Sequence, residues 1–263
     1  MRPIAVFDSG VGGLTSLKVL EQLLPGEDLV YFGDTSRVPY GTRSKETIIQ
    51  YALQDVRFLR TFDPKAVLIA CGTVSSVALD TLRQTFPLLP MFGVVESAVE
   101  AALKKTKNKR ILVLGTPATI ASGSYANLLS AAGATVATAA CPLFVPLVEN
   151  GHIMRDDPIA PKVVEYYLKP MKAFGADTVI LGCTHYPLLR EIIADYLGEG
   201  VTLIDVGRES ALACKAAVQT EEGNKGRVRF FVSDTVQSFE KTARIFLGRD
   251  MKEEVEQIDI QSY

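Results

Sequence analysis

Short, unbroken apolar runs alternate along this chain with longer stretches in which apolar positions recur every three or four residues. Residues 4–7, 66–70, 111–114, 178–181, 201–204 and 228–232 are runs of the first kind. They are rich in β-branched residues and barely alternate with polar side chains, as strands covered on both faces do. Residues 46–62 are of the second kind. Ile49, Leu53, Val56 and Leu59 share a helical face there, and Pro64 stops the helix. Thr116 and Pro117, just after the 111–114 run, read as an N-cap with proline at the first helical position. Residues 250–260 are polar and read as a surface helix and tail. Strand, loop and helix in alternation predict an α/β protein with mostly parallel sheets.

Two architectures fit that alternation, a closed eight-stranded α/β barrel and a pair of open sheets. An internal echo favours the pair. Residues 66–73 end a buried strand in Ala70-Cys71-Gly72-Thr73, and residues 178–184 end one in Gly182-Cys183-Thr184. A weaker echo pairs residues 4–10 with 111–116. The expectation is two open α/β domains related by a pseudo-two-fold axis. No linker rich in Gly, Pro or Ser divides them.

Composition narrows the classes. A chain of 263 residues holds one large or two modest domains of about 150 residues each. Its 28 basic and 30 acidic side chains leave a net charge of −2, too little positive charge for a nucleic-acid partner. The one basic run, residues 104–110, reads as a solvated loop. Hydrophobic residues at 48% and charged residues at 22% fit a folded, soluble domain. No apolar run nears the ~18 residues of a membrane span, so no membrane partner is expected. The four cysteines, at positions 71, 141, 183 and 214, have no short paired spacing, and no targeting segment is read before the first strand. A cytoplasmic protein with reduced thiols is the expectation.

In open parallel sheets, sites form beyond the carboxyl ends of strands. Four loops there carry chemistry: Asp8 to Gly13, Gly33 to Gly41, Cys71 to Thr73, and Cys183 to Pro187. Gly10, Gly12 and Gly13 let backbone N–H groups face a small anion at the start of a helix. Thr15 stands where a dinucleotide fingerprint needs glycine. A tight turn with no ligand reads the loop equally well. Cys141 and Cys214 lack polar company and read as core. His152 reads as a loop residue.

Cys71 and Cys183 are different, because matched thiols in two halves can face one ligand from opposite sides. That arrangement suits inversion of a stereocentre, one thiolate taking a proton while the opposing thiol gives one. His185 can poise Cys183, and Asp8 can do the same for Cys71 if their strands are neighbours. A thiol hydrolase using Cys183 and His185 would leave Cys71 idle. No metal is expected, since zinc-ligand spacing is missing.

Together, Phe7-Asp-Ser-Gly-Val-Gly-Gly-Leu14, Gly33-Asp-Thr with Pro39-Tyr-Gly41, Phe144-Val-Pro-Leu-Val-Glu149 and Leu181-Gly-Cys-Thr-His-Tyr-Pro187 resemble the glutamate racemases of the aspartate/glutamate racemase family. The resemblance implies cofactor-independent interconversion of L- and D-glutamate, supplying D-glutamate for peptidoglycan and so for cell-wall synthesis and cell shape, usually by a homodimer. Aspartate racemases share the two-cysteine plan, and a broader amino-acid racemase or a non-catalytic amino-acid-binding module on the same fold are alternatives. The resemblance also implies a domain of residues 96–207 inserted in one of residues 1–95 and 208–263, with the site between them.

Cys183 would take the α-proton of L-glutamate and Cys71 that of D-glutamate, helped by His185 and Asp8 respectively. Asp8, Ser9, Thr73, Thr116, Thr184 and His185 match substrate-binding positions. Tyr40 and Gly41 match the turn whose backbone holds the side-chain carboxylate, and Pro39 and Glu149 are accessory. The family usually reads Ala-Cys-Asn-Thr where this chain has Ala70-Cys71-Gly72-Thr73. At Gly72 a substrate contact made by the asparagine amide is lost or passes to backbone or water.

Overall fold

The computed structural model describes residues 2–220 and 226–263. Two open sheets organise it. In chain order the strands are β1 (Ile4–Asp8), β2 (Leu29–Gly33), β3 (Ala66–Ile69), β4 (Met91–Gly93), β5 (Arg110–Gly115), β6 (Thr135–Ala140), β7 (Thr178–Leu181), β8 (Thr202–Asp205), β9 (Val228–Val232) and β10 (Val255–Gln257). The first sheet has the order β10-β9-β2-β1-β3-β4 and the second β6-β5-β7-β8. Every described strand pair is parallel. No barrel closes. The run β2-β1-β3-β4 in the first sheet has the same order as β6-β5-β7-β8 in the second, so β3 and β7, the strands before the two candidate cysteines, hold corresponding places.

Alternation along each strand divides the core. On β1, Ile4 and Val6 join an apolar cluster shared by both sheets, while Ala5 and Phe7 face a second cluster with Val30, Val67 and Ile69. On β5, Leu112 and Leu114 join the shared cluster, and Ile111 and Val113 pack on the far side of the second sheet with Ile180. Strands whose two faces are both buried must read as unbroken apolar runs, and β1, β3 and β7 are fully buried.

Local signals hold too. The helix Lys45–Arg60 starts at Ser44, whose side chain accepts from the Thr47 N–H, close to the expected 46–62. Thr116 caps the helix Pro117–Ser122 by accepting from Thr119 N–H, with proline at its start. The C-terminal segment departs from expectation. Residues 250–260 do not form a surface helix: β10 adds an edge strand there, placed by Val255 opposite Phe230 and burying one apolar residue beside two exposed polar ones.

Candidate active site

The loops after β1, β2, β3, β5 and β7 converge on a cavity of about 370 Å³ between the two sheets, within the usual range for small-molecule sites. Cys71 and Cys183 both line it, 5% and 6% exposed. Ser9, Pro39, Tyr40, Gly41, Gly72, Thr73, Thr116, Thr184, His185 and Glu149 line it as well. Asp8 is the exception among the expected site residues. It is buried behind the glycine turn, where its carboxylate accepts from Gly10 N–H at 3.0 Å.

The second sheet's thiol has a basic neighbour. His185 Nδ1 lies 3.8 Å from Cys183 Sγ and 3.3 Å from Thr184 Oγ1, and its Nε2 pairs with Glu149 Oε1 at 2.9 Å. Burial alone would discharge this ring. The hydrogen bonds to Cys183 and Glu149 outweigh burial and push its pKa up to about 10, so it is a cation at neutral pH. Phe246 packs edge-on against the ring at 5.0 Å and excludes water on that side.

The first sheet's thiol has an acidic neighbourhood. Cys71 donates to Ser9 Oγ at 3.3 Å. Burial, reinforced by the Asp8 carboxylate, pushes its pKa up to about 12 against the pull of the Ser9 hydrogen bond, so it rests as a thiol. β1 and β3 are adjacent, which places Asp8 near Cys71. Burial raises the Asp8 pKa, opposed by the His185 charge and by the N–H groups of Gly13 and Gly10. The glycine turn separating Asp8 from His185 has no room for side chains. A Cβ on Gly13 would lie 2.5 Å from Asp8 Cβ, and one on Gly12 would lie 2.1 Å from Thr184 Oγ1 and 2.6 Å from His185 Nδ1.

Polar groups complete the wall. Thr73, at the start of the helix after β3, and Thr116, the cap after β5, share a hydrogen bond of 2.9 Å between hydroxyls. The Tyr40–Thr42 turn presses Gly41 onto Thr116, where a Cβ would lie 2.8 Å from Thr116 Cβ. Under that turn the Tyr40 hydroxyl bonds Asp34 and Asp55, and Arg37 pairs with both carboxyls. Hydroxyls, backbone groups and apolar side chains together line the cavity around the two thiols. Among the described residues no group of three or more His, Cys, Asp or Glu side chains is gathered to hold a metal, and no helix is long and apolar enough to cross a membrane.

Sequence reasoning missed the apolar half of the wall, Val38, Pro142, Val145 and Pro146, and the buried Asp34–Arg37–Asp55 cluster. Arg37 follows closely on Gly33-Asp-Thr, but Asp55 sits on a helix whose apolar stripe hid it. Cys141 and Cys214 are fully buried and outside the cavity lining. His152 sits in a turn, 2.9 Å from Asp157.

Known proteins resemble this chain along most of its length. A sequence model of the family described as Asp/Glu/Hydantoin racemase matches residues 15–214. The chain is 47% identical over 252 residues to a glutamate racemase of Aquifex aeolicus, covering 96% of each chain. It is similar to the crystal structure of glutamate racemase from Francisella tularensis in complex with D-glutamate, with a TM-score of 0.92 and 35% identity over 100% of this chain and 99% of that one. Glutamate racemase isoform RacE1 from Bacillus anthracis gives a TM-score of 0.93 at 36% identity, covering 98% and 97%.

Proposed function

Since the chain belongs to the Asp/Glu/Hydantoin racemase family, we propose that it interconverts L- and D-glutamate with no cofactor, one of Cys71 and Cys183 taking the α-proton while the other gives its own proton to the opposite face. The carrying observation is that the two thiols come from corresponding strand ends of two sheets and line one cavity.

In the L-to-D direction the Cys183 thiolate takes the α-proton. The C–H electron pair stays on the α-carbon and delocalises into the α-carboxylate. The Cys71 thiol then gives its proton to the opposite face, leaving a Cys183 thiol and a Cys71 thiolate. The D-to-L direction runs through the same groups in reverse.

The α-proton is weakly acidic, so the carboxylate's developing charge needs preorganised donors in a closed cleft. The hydroxyls of Ser9, Thr73, Thr116 and Thr184 and the glycine-turn N–H groups suit that task. His185, 3.8 Å from the Cys183 sulfur, would assist that thiol, and Glu149 holds the ring in place. Asp8 shapes the field at Cys71 from behind the turn. The Tyr40–Gly41 backbone would receive the side-chain carboxylate, with Pro39 fixing the turn.

Residues 1–95 with 208–263 would form one domain and 96–207 the other. The division is supported by β1–β4, β9 and β10 sharing one sheet and β5–β8 the other. From the family resemblance we also infer a cytoplasmic homodimer that supplies D-glutamate for peptidoglycan.

The test is α-hydrogen exchange and racemisation in D₂O for the wild type, Cys71→Ser and Cys183→Ser, with L-aspartate as the control substrate. Losing one of two proton-transfer groups should cost about 10²–10⁴-fold in racemisation in either variant. Full turnover in both variants overturns the two-thiol mechanism. Binding of glutamate with no exchange in the wild type makes the protein a binding module.

A further inference from the structure

Resting on the racemase reading, we propose that Gly72 is a positioning residue that sets the distance between the two cysteine-bearing turns. Gly72 follows Cys71 and opens the helix Gly72–Val77. A Cβ at Gly72 would lie 2.3 Å from the carbonyl oxygen of Gly182 and 3.7 Å from Cys183 Cα. The backbone after one cysteine is thus seated on the backbone just before the other, and a backbone carbonyl cannot rotate aside as the tip of a side chain can.

Neither turn has slack to give. Gly182 N–H donates to Leu114 O at 2.8 Å, and a Cβ on Gly182 would itself lie 2.6 Å from that oxygen, so the second turn is already pressed on β5. The first turn is tied at Ser75. Its N–H donates to Cys71 O at 2.9 Å, and its hydroxyl donates to Ile69 O and accepts from Val94 N–H. A side chain at position 72 is therefore accommodated by moving the turns apart. Relieving a 2.3 Å approach to ordinary contact takes about 1 Å. The 2.9 Å Thr73–Thr116 hydrogen bond bridges the same two halves and would be stretched by that movement.

Where the resemblance implies asparagine, this chain seats backbone on backbone, so position 72 bears on the separation of the two cysteine-bearing turns as well as on any amide contact. Both proton transfers depend on that one separation. A group misplaced by 1 Å costs on the order of 10²-fold in rate.

Kinetics of Gly72→Ala in both directions test this. The expected result is a fall in kcat of about 10- to 100-fold, by a similar factor from L- and from D-glutamate, with KM changed by less than about threefold. Gly72→Asn, which restores the usual family residue, should be slowed at least as much. Wild-type kcat in Gly72→Ala, a loss confined to one direction, or a Gly72→Asn enzyme equal to the wild type overturns the proposal. A crystal structure of the wild type with D-glutamate decides it independently of whether the variants fold. Gly72 Cα must remain in contact with the Gly182 carbonyl, and an opening of more than about 1 Å there refutes the spacing role. A wild type that leaves the glutamate α-hydrogen unexchanged removes the racemase reading instead.

Discussion

Replacing Asp55 by asparagine tests the charge state of the cluster beneath the Tyr40–Gly41 turn. Asp34 and Asp55 are fully buried, and the Arg37 side chain is 12% exposed. The Tyr40 hydroxyl contacts an oxygen of each carboxyl, but it has one proton to donate. Asp34 also receives Ser233 Oγ at 2.7 Å and Arg37 Nε at 2.5 Å, so it is well supplied with donors. The second contact is satisfied if Asp55 keeps its proton and donates it to the Tyr40 oxygen at 3.0 Å, while its other oxygen accepts from Arg37 Nη2 at 2.6 Å. Burial, then repulsion from Asp34, drives the Asp55 pKa well above the carboxylate range, in the same sense.

Asparagine then replaces one neutral group by another, with an oxygen for Arg37 and an N–H for Tyr40. Its cost at pH 7 should be about 1 kcal/mol or less. Arg37→Ala leaves a buried carboxylate without its cation and should cost about 3–5 kcal/mol. The pH dependence has a definite sign. An aspartate whose folded pKa exceeds its unfolded value of about 3.9 stabilises fully below that value, and the contribution is lost as pH rises toward the folded pKa. Wild type should therefore lose ground to Asp55→Asn as pH rises from about 4. Urea unfolding of the three proteins at several pH values measures both effects. An asparagine variant as damaged as Arg37→Ala at pH 7, or a gap that widens with pH in favour of wild type, refutes the neutral-acid assignment.

The remaining two predictions concern the walls of the cavity. The His185 ring is held protonated up to about pH 10, above its ordinary 6.5, so its stabilisation is complete below 6.5 and lost as pH rises through 10. His185→Asn should flatten the fall in stability over that window, and an unchanged profile in thermal unfolding would show that the ring is neutral. Iodoacetamide at pH 8 should label Cys183, beside an imidazolium, before Cys71, whose pKa near 12 leaves little thiolate; D-glutamate should protect both. Peptide mass spectrometry reads the order, and prior labelling of Cys71 contradicts the electrostatic asymmetry.

Most central strands were legible because burial on both faces leaves an unbroken apolar run, as at Val179, Ile180 and Leu181; β2, Leu29 to Gly33, is equally buried yet was not among the runs read as strands. β6 was not: it is an edge strand whose sequence, Thr135 to Ala140, is small and half exposed, so it lacks the heavy β-branched signature. β4 and β10 have three residues each and acquire their conformation from the neighbouring strand rather than from local preference. The cysteines were legible because the same short motif recurs at two strand ends. The role of Asp55 was not, since a buried acid on an amphipathic helix has meaning only beside Arg37 and Tyr40, 18 and 15 residues away. The tight approach at Gly72 was likewise hidden, because its partner is a backbone carbonyl 110 residues on, which no pattern of side chains records.

The two halves match in strand order yet differ in electrostatics, and the proposed reaction limits what that difference can achieve. L- and D-glutamate have equal free energy in water, so detailed balance requires kcat/KM to be the same in both directions. The imidazolium beside Cys183 and the acidic surroundings of Cys71 cannot favour one enantiomer at equilibrium. They act instead on each group separately: burial and the Asp8 carboxylate keep Cys71 a thiol, while Cys183 has the His185 ring beside it. Under the proposed mechanism a Cys71 thiol is ready to donate to the product of L-glutamate, and the complementary state must be reached before D-glutamate reacts. Asymmetry between the walls therefore divides each direction differently between kcat and KM while the ratio stays fixed. Under the proposed mechanism a change in the spacing of the walls would act on both proton transfers at once, so it should lower kcat/KM in both directions by the same factor.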